Sequence, residues 1–213
     1  MLKGPVLGPM VICGVCFSEN NLKDLTDIGV RDSKKLSSKK REFLAEKIKE
    51  KCLSYKTVIL SAKTIDERQK KGQNMITLEQ REIARIIDAL RPDIVYVDAA
   101  DVNEKRFGLG IKKLTKFTDY KIISKHGADQ SFPVVSAASI IAKTTRDEII
   151  EKLSKKYGFI GSGYPSDKKT IEFIRNYLLK YKRPPPIARK SWDTTKKLVN
   201  ELIKNKKITD FLK

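Results

Sequence analysis

Short apolar runs alternate with amphipathic stretches along most of the chain. Apolar runs at 10–17, 54–60, 94–97 and 120–124 predict four β-strands. Apolar residues at helical spacing predict helices over 37–52, 77–90, 103–117, 131–153, 166–181 and 192–205. Strands that come first and then alternate with helices are typical of a mixed sheet in an α/β domain. We therefore expect an α/β domain over residues 1–160 and a helical part over 161–213.

Capping residues set some of the expected helix ends. Ser37 or Ser38 is placed to cap the helix that follows, and Thr77 with Gln80 matches a capping box. Arg91-Pro92 should end that second helix, because proline disfavours helical geometry at the residue before it. The chain opens on MLKGPVLGPM, a turn sequence in front of the first strand.

The charge of the chain indicates what kind of partner it binds. The chain has 45 Lys and Arg against 26 Asp and Glu, a net charge of +19. This excess favours a nucleic acid partner, with a lysine-rich solvated surface as the alternative. No apolar run approaches the roughly 20 residues of a membrane span. Three cysteines are too few for a disulfide framework. We expect a reduced, cytoplasmic protein without a membrane partner.

Two carboxylates stand out in so basic a chain. Asp98 ends a predicted strand, where ligand sites of α/β sheets tend to lie, and Asp129 precedes a helix rich in Ser and Ala. Converging carboxylates hold Mg²⁺ or Mn²⁺ with phosphate oxygens completing the shell, and two such ions promote phosphodiester cleavage. The alternative is that Asp98 caps a helix and Asp129 forms a surface ion pair. Two carboxylates are also few for two divalent ions.

Other chemistry-bearing residues fit structural roles better. Cys13 and Cys16 should face opposite sides of a strand, which favours two buried thiols over a metal or redox pair. His126 is the only histidine, and nothing marks a nucleophile to match it. A structural or phosphate-side role is the better hypothesis for this histidine.

Two loops could contact nucleic acid. GSGYPSD (161–167) presents Tyr164 on a rigid turn, where the ring could stack on a nucleotide or simply pack. RDSKKLSSKKR (31–41) places lysines at a helix start, which suits phosphate contact but also describes an ordinary charged helix.

The segments GPVLGPM, GVRDSKKLS, VYVDAADV, KHGADQSFPVVSAASIIAKTTRD, GSGYPSD and IARKSWDTTKKL occur in this order. Each is weak alone, but together they closely resemble the archaeal branch of the ribonuclease HII family over essentially the whole chain. The resemblance implies a ribonuclease H-like mixed sheet flanked by helices, with a C-terminal helical appendage that binds substrate. A junction resolvase would share the carboxylates but would not explain GSGYPSD or DSKKL.

The resemblance also implies an activity. It is the endonucleolytic cleavage of RNA in RNA–DNA hybrids and at ribonucleotides embedded in duplex DNA, in DNA replication and repair. The products carry 5′-phosphate and 3′-hydroxyl ends, and Mg²⁺ or Mn²⁺ is the cofactor. The resemblance also implies that the protein is a monomer. The C-terminal tail, with Ile208, Phe211 and Leu212, loosely resembles a sliding-clamp-docking peptide, the alternative being an ordinary amphipathic terminus.

Family roles carry over to particular residues here. Asp98 and Asp129 match the third and fourth of the family's four metal-binding, catalytic carboxylates. Tyr164 matches the tyrosine that stacks on the deoxyribose at the RNA–DNA junction. Further substrate contacts are implied for the Lys3-Gly4 pair and for the Lys34-Lys35 pair.

The first two family carboxylates have no counterpart in these residues. The family's first strand ends in Asp-Glu-Ala-Gly-Arg-Gly-Pro, and Met1, Leu2 and Lys3 fall on its Ala, Gly and Arg. We therefore expect an N-terminus cut short of one central strand, and weak or absent activity, because the parts of such a mechanism act as a unit. Unpaired backbone and an exposed slot should mark the gap. A catalytically dead hybrid-binding module is the alternative.

Overall fold

The computed structural model describes residues 4–27, 29–30 and 36–204. The strands are β1 (Met10–Cys16), β2 (Ser54–Leu60), β3 (Ile94–Asp98) and β4 (Lys121–Lys125). The helices are α1 (Leu22–Asp27), α2 (Ser38–Lys51), α3 (Ala62–Lys70), α4 (Met75–Leu90), α5 (Glu104–Lys112), α6 (Ala128–Ser131), α7 (Pro133–Tyr157), α8 (Lys168–Tyr181) and α9 (Asp193–Val199). A 3₁₀ turn (Glu19–Asn21) and a π-helical turn (Asn200–Lys204) complete the elements. All four predicted strands are confirmed to within one residue.

The helix caps confirm one prediction and correct another. Ser37 is the N-cap of α2, where its side chain accepts a hydrogen bond from the Lys40 amide. The capping box predicted at Thr77 is wrong, because α4 begins two residues earlier. Asn74 caps it, and its Oδ1 accepts from the Thr77 amide at 2.8 Å. The same helix ends as predicted, with Arg91 in the left-handed conformation at φ 48°.

Several helices depart from the predicted pattern: the short α1 and α6 were not predicted, and neither the end of α5 nor the presence of α3 was. α5 ends at Lys112 rather than near 117, and the amides of Lys116 and Phe117 instead donate to Asp88 Oδ1 at 2.8 and 2.9 Å. α3 was not predicted, because its sequence AKTIDERQK offers few apolar positions. It is specified by its Ser61 cap, whose hydroxyl accepts from the Thr64 amide at 3.0 Å.

The chain divides into two compact units that interleave along the sequence. The sheet unit comprises residues 11–59 and 73–145, and the helical unit comprises 4–10, 60–72 and 146–204. The division predicted at residue 160 stays a prediction.

Within the sheet unit the strands form two separate pairs. β1 pairs with β2, and β3 pairs in parallel with β4, in a register from Ile94 opposite Lys121 to Asp98 opposite Lys125. Two apolar clusters support these pairs. One is built from Leu25, Val30, Leu44, Ala45, Ile48, Ala137, Ile140 and Ile141. The other is built from Ala84, Ile87, Val97, Phe107, Ile111 and Tyr120.

The helical unit contains α3, α8, α9 and the second half of α7. Its short stretch at 4–9 makes an isolated antiparallel bridge, Leu7 to Ala188. Val6 and Leu7 of this stretch have no exposed surface. In the described part of the chain, none of the helices combines the length and the apolar character needed to cross a bilayer.

Candidate functional site

Asp98 and Asp129 meet at one corner of the sheet unit. Asp98 is the last residue of β3, and its Oδ1 accepts a hydrogen bond from the Ala128 amide at 3.3 Å. That amide begins α6, whose second residue is Asp129. Asp98 is exposed, whereas Asp129 is 6% exposed and so is not a surface side chain. An exposed and a buried acidic residue therefore lie next to each other at this corner, and carboxylate oxygens are ligands that Mg²⁺ and Mn²⁺ accept.

Both carboxylates also line a cavity of about 340 Å³ that we call the slot. Its long sides are β1 residues 11–16 and β3 residues 94–98. Its apolar cover comes mainly from α4 and α7. The covering side chains are Ile83, Ile86, Ile87, Leu90, Val134, Val135, Ala138 and Ala142. In the described residues β1 and β3 each have a single strand neighbour, so the slot separates two strand edges.

The acidic residue Asp101, three positions after Asp98, is already paired with an arginine. Asp101 is buried and hydrogen-bonded to the guanidinium of Arg106, and this contact lowers the pKa of its carboxyl to about 2. No set of three or more His, Cys, Asp or Glu side chains in the described ranges is grouped to hold a metal ion. The donors at this corner are therefore the two carboxylates.

His126 is exposed and makes local contacts that fit a structural role, and the predicted phosphate-side alternative stays open. Its ring nitrogens lie 3.2 Å from the Ala99 carbonyl oxygen and 3.4 Å from that of Val102, and its amide donates to Glu104 at 2.6 Å. These contacts tie the residues after β3 to the start of α6.

Cys13 and Cys16 are free thiols on β1 and are partly buried. Burial raises the pKa of Cys13 to about 11, and burial also raises the pKa of Cys16. A protonated thiol is a poor nucleophile and a poor metal ligand, which agrees with the structural role predicted for both.

The helical unit gathers three loop segments that we call the loop cluster: residues 4–9, 160–164 and 187–189. The amides of Val6 and Leu7 both donate to the Gly163 carbonyl, at 2.7 and 3.1 Å. On the other side, the Gly8 amide donates to Ile187 and the Arg189 amide donates to Val6, both at 2.9 Å. The opening turn of the sequence is thus tied on both sides by backbone hydrogen bonds.

Tyr164 projects from this cluster with 42% of its surface exposed. Asp167 shapes its turn, accepting from the Ser162 amide at 2.7 Å and capping α8 through the Lys169 amide at 3.0 Å. These amide donors lower the pKa of Asp167 to about 2. Gly163 has φ +82°, and a Cβ there would lie 2.9 Å from Arg146 Nη2 and 3.0 Å from the Leu7 carbonyl oxygen.

Two buried arginines hold the cluster, and the sequence interpretation missed both. Arg146 lies 4.8 Å from the Tyr164 ring centroid, and its Nη2 donates to the carbonyls of Leu7 and Ser162. Arg189 donates to the carbonyls of Gly8 and Pro9 at 3.2 and 2.9 Å, and lies 4.9 Å from the Trp192 ring centroid. In the sequence they resemble ordinary surface charges, because TTRDE and ARKSW carry no mark of burial.

The predicted site residues thus fall into two groups. Asp98 and Asp129 meet in the sheet unit, and Gly4 and Tyr164 belong to the loop cluster of the helical unit. Gly4 has φ +151°, a backbone conformation that favours glycine. Lys3, Lys34 and Lys35 lie outside the described residues, as does the tail with Ile208, Phe211 and Leu212. The roles of all these residues stay predictions.

Comparison with known proteins supplies the class and the family. The sequence model of the family Ribonuclease HII matches residues 3–195. The ribonuclease HII of Thermococcus sibiricus is 45% identical over 212 residues, covering 99% of this chain and 93% of the relative. The crystal structure of ribonuclease H2 from Pyrococcus horikoshii superimposes with a TM-score of 0.87 at 43% identity, covering 95% of each chain. A PCNA:RNase HII complex from Archaeoglobus fulgidus gives 0.82 at 37% identity, covering 92% of each chain.

The structural matches show that the chain is an α/β protein of the ribonuclease H-like fold, with helices around a small sheet. Both matched structures are ribonucleases. The chain belongs to the ribonuclease HII family, whose members are ribonuclease H endonucleases.

Proposed function

We propose that this protein cleaves the RNA strand of RNA–DNA hybrids, and duplex DNA at embedded ribonucleotides, with Mg²⁺ or Mn²⁺ as cofactor. The observation that carries the proposal is the convergence of Asp98 and Asp129 at the end of β3. The products would carry 5′-phosphate and 3′-hydroxyl ends. The net charge of +19 supports a polyanionic substrate held over a broad surface.

The donor set at this corner suits one divalent ion. Mg²⁺ is commonly bound by one or two carboxylates, with water and substrate phosphate completing its shell. Asp98 and Asp129 would hold such an ion, which would supply charge neutralisation and an activated water. The Ala128 amide holds the Asp98 carboxylate beside the start of α6, and the loop cluster would position the sugar–phosphate backbone through Gly4 and Tyr164. Two carboxylates do not fit a pair of ions.

We propose further that the slot takes a fifth strand, which carries the family's first two carboxylates and is not part of the 213 residues. The slot supports this, because it is apolar, is bounded by two strand edges and opens on Asp98 and Asp129. Unpaired strand edges are costly, and an inserted strand would satisfy both. The chain as given should then be weak or inactive.

An extended chain tests both proposals. Seven apolar β-forming residues and Asp-Glu are placed before residue 1, with Met1→Ala, Leu2→Gly and Lys3→Arg. With Mn²⁺ and a duplex carrying one ribonucleotide, we expect cleavage at least about a thousandfold faster than with the 213 residues alone. The matched control carries Asn-Gln in place of Asp-Glu and should fold but not cleave.

Two further results would decide the matter. Asp98→Asn in the extended chain should abolish cleavage, and undiminished cleavage would contradict the metal site. The coding DNA upstream of Met1, read in frame, should encode an Asp-Glu pair within about a dozen codons, a length that suits one strand. A reading frame without this pair would contradict the fifth strand.

A catalytically inactive hybrid-binding module is the second candidate function. The loop cluster favours it, because Tyr164 and its supports are complete within the described residues while the carboxylate corner holds two acids. Binding of the ribonucleotide duplex without cleavage, in the extended chain as well, would support the module.

A sliding clamp is a candidate partner. The relative from A. fulgidus was solved as a complex with PCNA. We propose that the tail with Ile208, Phe211 and Leu212 makes the corresponding contact here. Loss of clamp binding on Phe211→Ala, measured by calorimetry, would support this, and unchanged binding would contradict it.

A further inference from the structure

The guanidinium of Arg146 contacts protein groups around Tyr164. It is 9% exposed, and its Nη2 reaches two backbone carbonyls from separate segments, Leu7 at 3.4 Å and Ser162 at 3.2 Å. Its guanidinium also lies 4.8 Å from the Tyr164 ring centroid. One buried cation therefore touches the opening turn, the Tyr164 turn and the Tyr164 ring.

The geometry points to Arg146 as a positioning residue, which fixes the Tyr164 ring and the opening turn in one arrangement for substrate. This inference rests on the proposed function, because it assumes that the exposed part of the ring meets the nucleic acid. A planar guanidinium can face a ring and fork between two carbonyls, whereas an ammonium is a compact point charge without that geometry. A lysine at this position, which keeps the charge, should therefore not hold the Tyr164 ring in place.

The arrangement is tight enough to depend on this side chain. A Cβ at Gly163 would lie 2.9 Å from Arg146 Nη2, so the backbone before Tyr164 passes directly against the guanidinium. The Arg146 Nε is buried with no hydrogen-bond partner among the described residues. Burial also lowers the pKa of Arg146. Arg68 shares an unpaired buried Nε and a pKa lowered by burial, so the contacts with Leu7, Ser162 and the Tyr164 ring are what set Arg146 apart.

Arg68 offers a matched control in the same unit. It is 4% exposed, lies 5.2 Å from the Trp192 ring centroid and donates to the Ile65 carbonyl and the Ser191 hydroxyl. It is thus a buried arginine against an aromatic ring that makes these hydrogen bonds outside the loop cluster, although the same ring also faces Arg189. Arg68→Lys should lower the melting temperature without changing Tyr164.

The first measurement reads the ring directly. The chain is labelled with 3-fluorotyrosine, and the ¹⁹F resonance of Tyr164 is assigned from Tyr164→Phe. Arg146→Lys should shift and broaden this resonance, while Arg68→Lys should leave it in place. An unchanged resonance in Arg146→Lys would overturn the inference.

The second measurement reads the consequence for substrate. Binding of two fluorescein-labelled duplexes, one with a single ribonucleotide and one all DNA, is followed by anisotropy in EDTA. Arg146→Lys should reduce the preference for the ribonucleotide by about fivefold to thirtyfold, the range of a desolvated cation–π contact. In a Tyr164→Ala background the same change should have little further effect, because the arginine acts through the ring.

The outcomes separate this inference from the proposed function. Equal losses from Arg146→Lys with Tyr164 intact and in the Tyr164→Ala background would overturn the inference while leaving ribonucleotide recognition intact. If the unmutated chain does not distinguish the two duplexes, the proposed function fails. The fluorine resonance then decides by itself whether Arg146 positions the ring.

Discussion

The helical unit and the sheet unit differ in how completely their backbone groups are hydrogen-bonded. In the loop cluster, residues 6–8 are bonded on one side to Gly163 and on the other to Ile187 and Arg189. In the sheet unit, β1 and β3 are separated by an apolar slot of about 340 Å³. The part proposed to position substrate is therefore closed, whereas the part proposed to carry out chemistry is open along two strand edges.

If the proposed roles hold, recognition and chemistry depend on different stretches of chain. The Tyr164 turn draws its contacts from its own unit, through Asp167, Thr170 and Arg146. The carboxylate corner has two acids, and its neighbour Asp101 is already paired with Arg106. Binding should therefore persist under conditions where cleavage does not.

The largest expected effect of a single substitution on stability is at Arg189. Arg189→Met leaves the carbonyls of Gly8 and Pro9 without their buried donor, which costs about 1–3 kcal/mol for each group. We expect the free energy of unfolding, measured with urea, to fall by about 2–5 kcal/mol. Binding of the ribonucleotide duplex should fall with it, since the opening turn loses its support.

Arg175 is the matched control for this substitution. It pairs with Glu201 at 2.8 Å on the exposed surface of the same unit. Arg175→Met should cost about 0.2–1 kcal/mol, as exposed pairs do. Equal losses at the two positions would contradict the closed character of the loop cluster.

A smaller effect should report on the slot. Cys13 and Cys16 line it, whereas Cys52 is not among its lining residues. If the added strand of the extended chain fills the slot, alkylation of Cys13 and Cys16 by iodoacetamide should slow by about tenfold, because exposure limits thiol reactivity. Cys52 should react at an unchanged rate, as followed by tandem mass spectrometry. Unprotected Cys13 and Cys16 would contradict a strand in the slot.

The smallest effect is a pH dependence that both units share. The pKa of Asp101 in the sheet unit and that of Asp167 in the helical unit are each about 2, below the usual value near 3.8. A lowered folded-state pKa gives stability that is present above about pH 4 and is lost as pH falls toward 2. Asp101→Asn and Asp167→Asn should each flatten the fall in melting temperature over that range. An unchanged slope would contradict these hydrogen bonds.

The sequence was most informative where local rules decide the structure. The four strands and the Ser37 cap follow from apolar runs and a single side chain. The end of α5 could not be read locally, because it depends on Asp88, which lies 28 residues before Lys116 and accepts its amide. The start of α4 was misread, although Asn74 lies three residues before Thr77, the spacing of a simple cap.

The candidate site divides in the same way. Motifs predict roles for Asp98, Asp129 and Tyr164 that stay predictions, and the resemblance predicts a slot of the kind that lies between β1 and β3. Arg146 and Arg189 are not predicted, because each is held in part by the opening turn, which lies more than 130 residues away in the chain. A charged residue on a helix face gives no local sign of such a partner.

The most direct test of the central claim measures binding and cleavage by the same 213-residue chain on the same duplex. The duplex carries one ribonucleotide, binding is measured in EDTA and cleavage with Mn²⁺. We predict saturable binding that prefers this duplex over its all-DNA counterpart, with cleavage at least about a thousandfold slower than that of the extended chain. Cleavage as fast as that of the extended chain, abolished by Asp98→Asn, would contradict the proposed need for a further strand at the carboxylate corner.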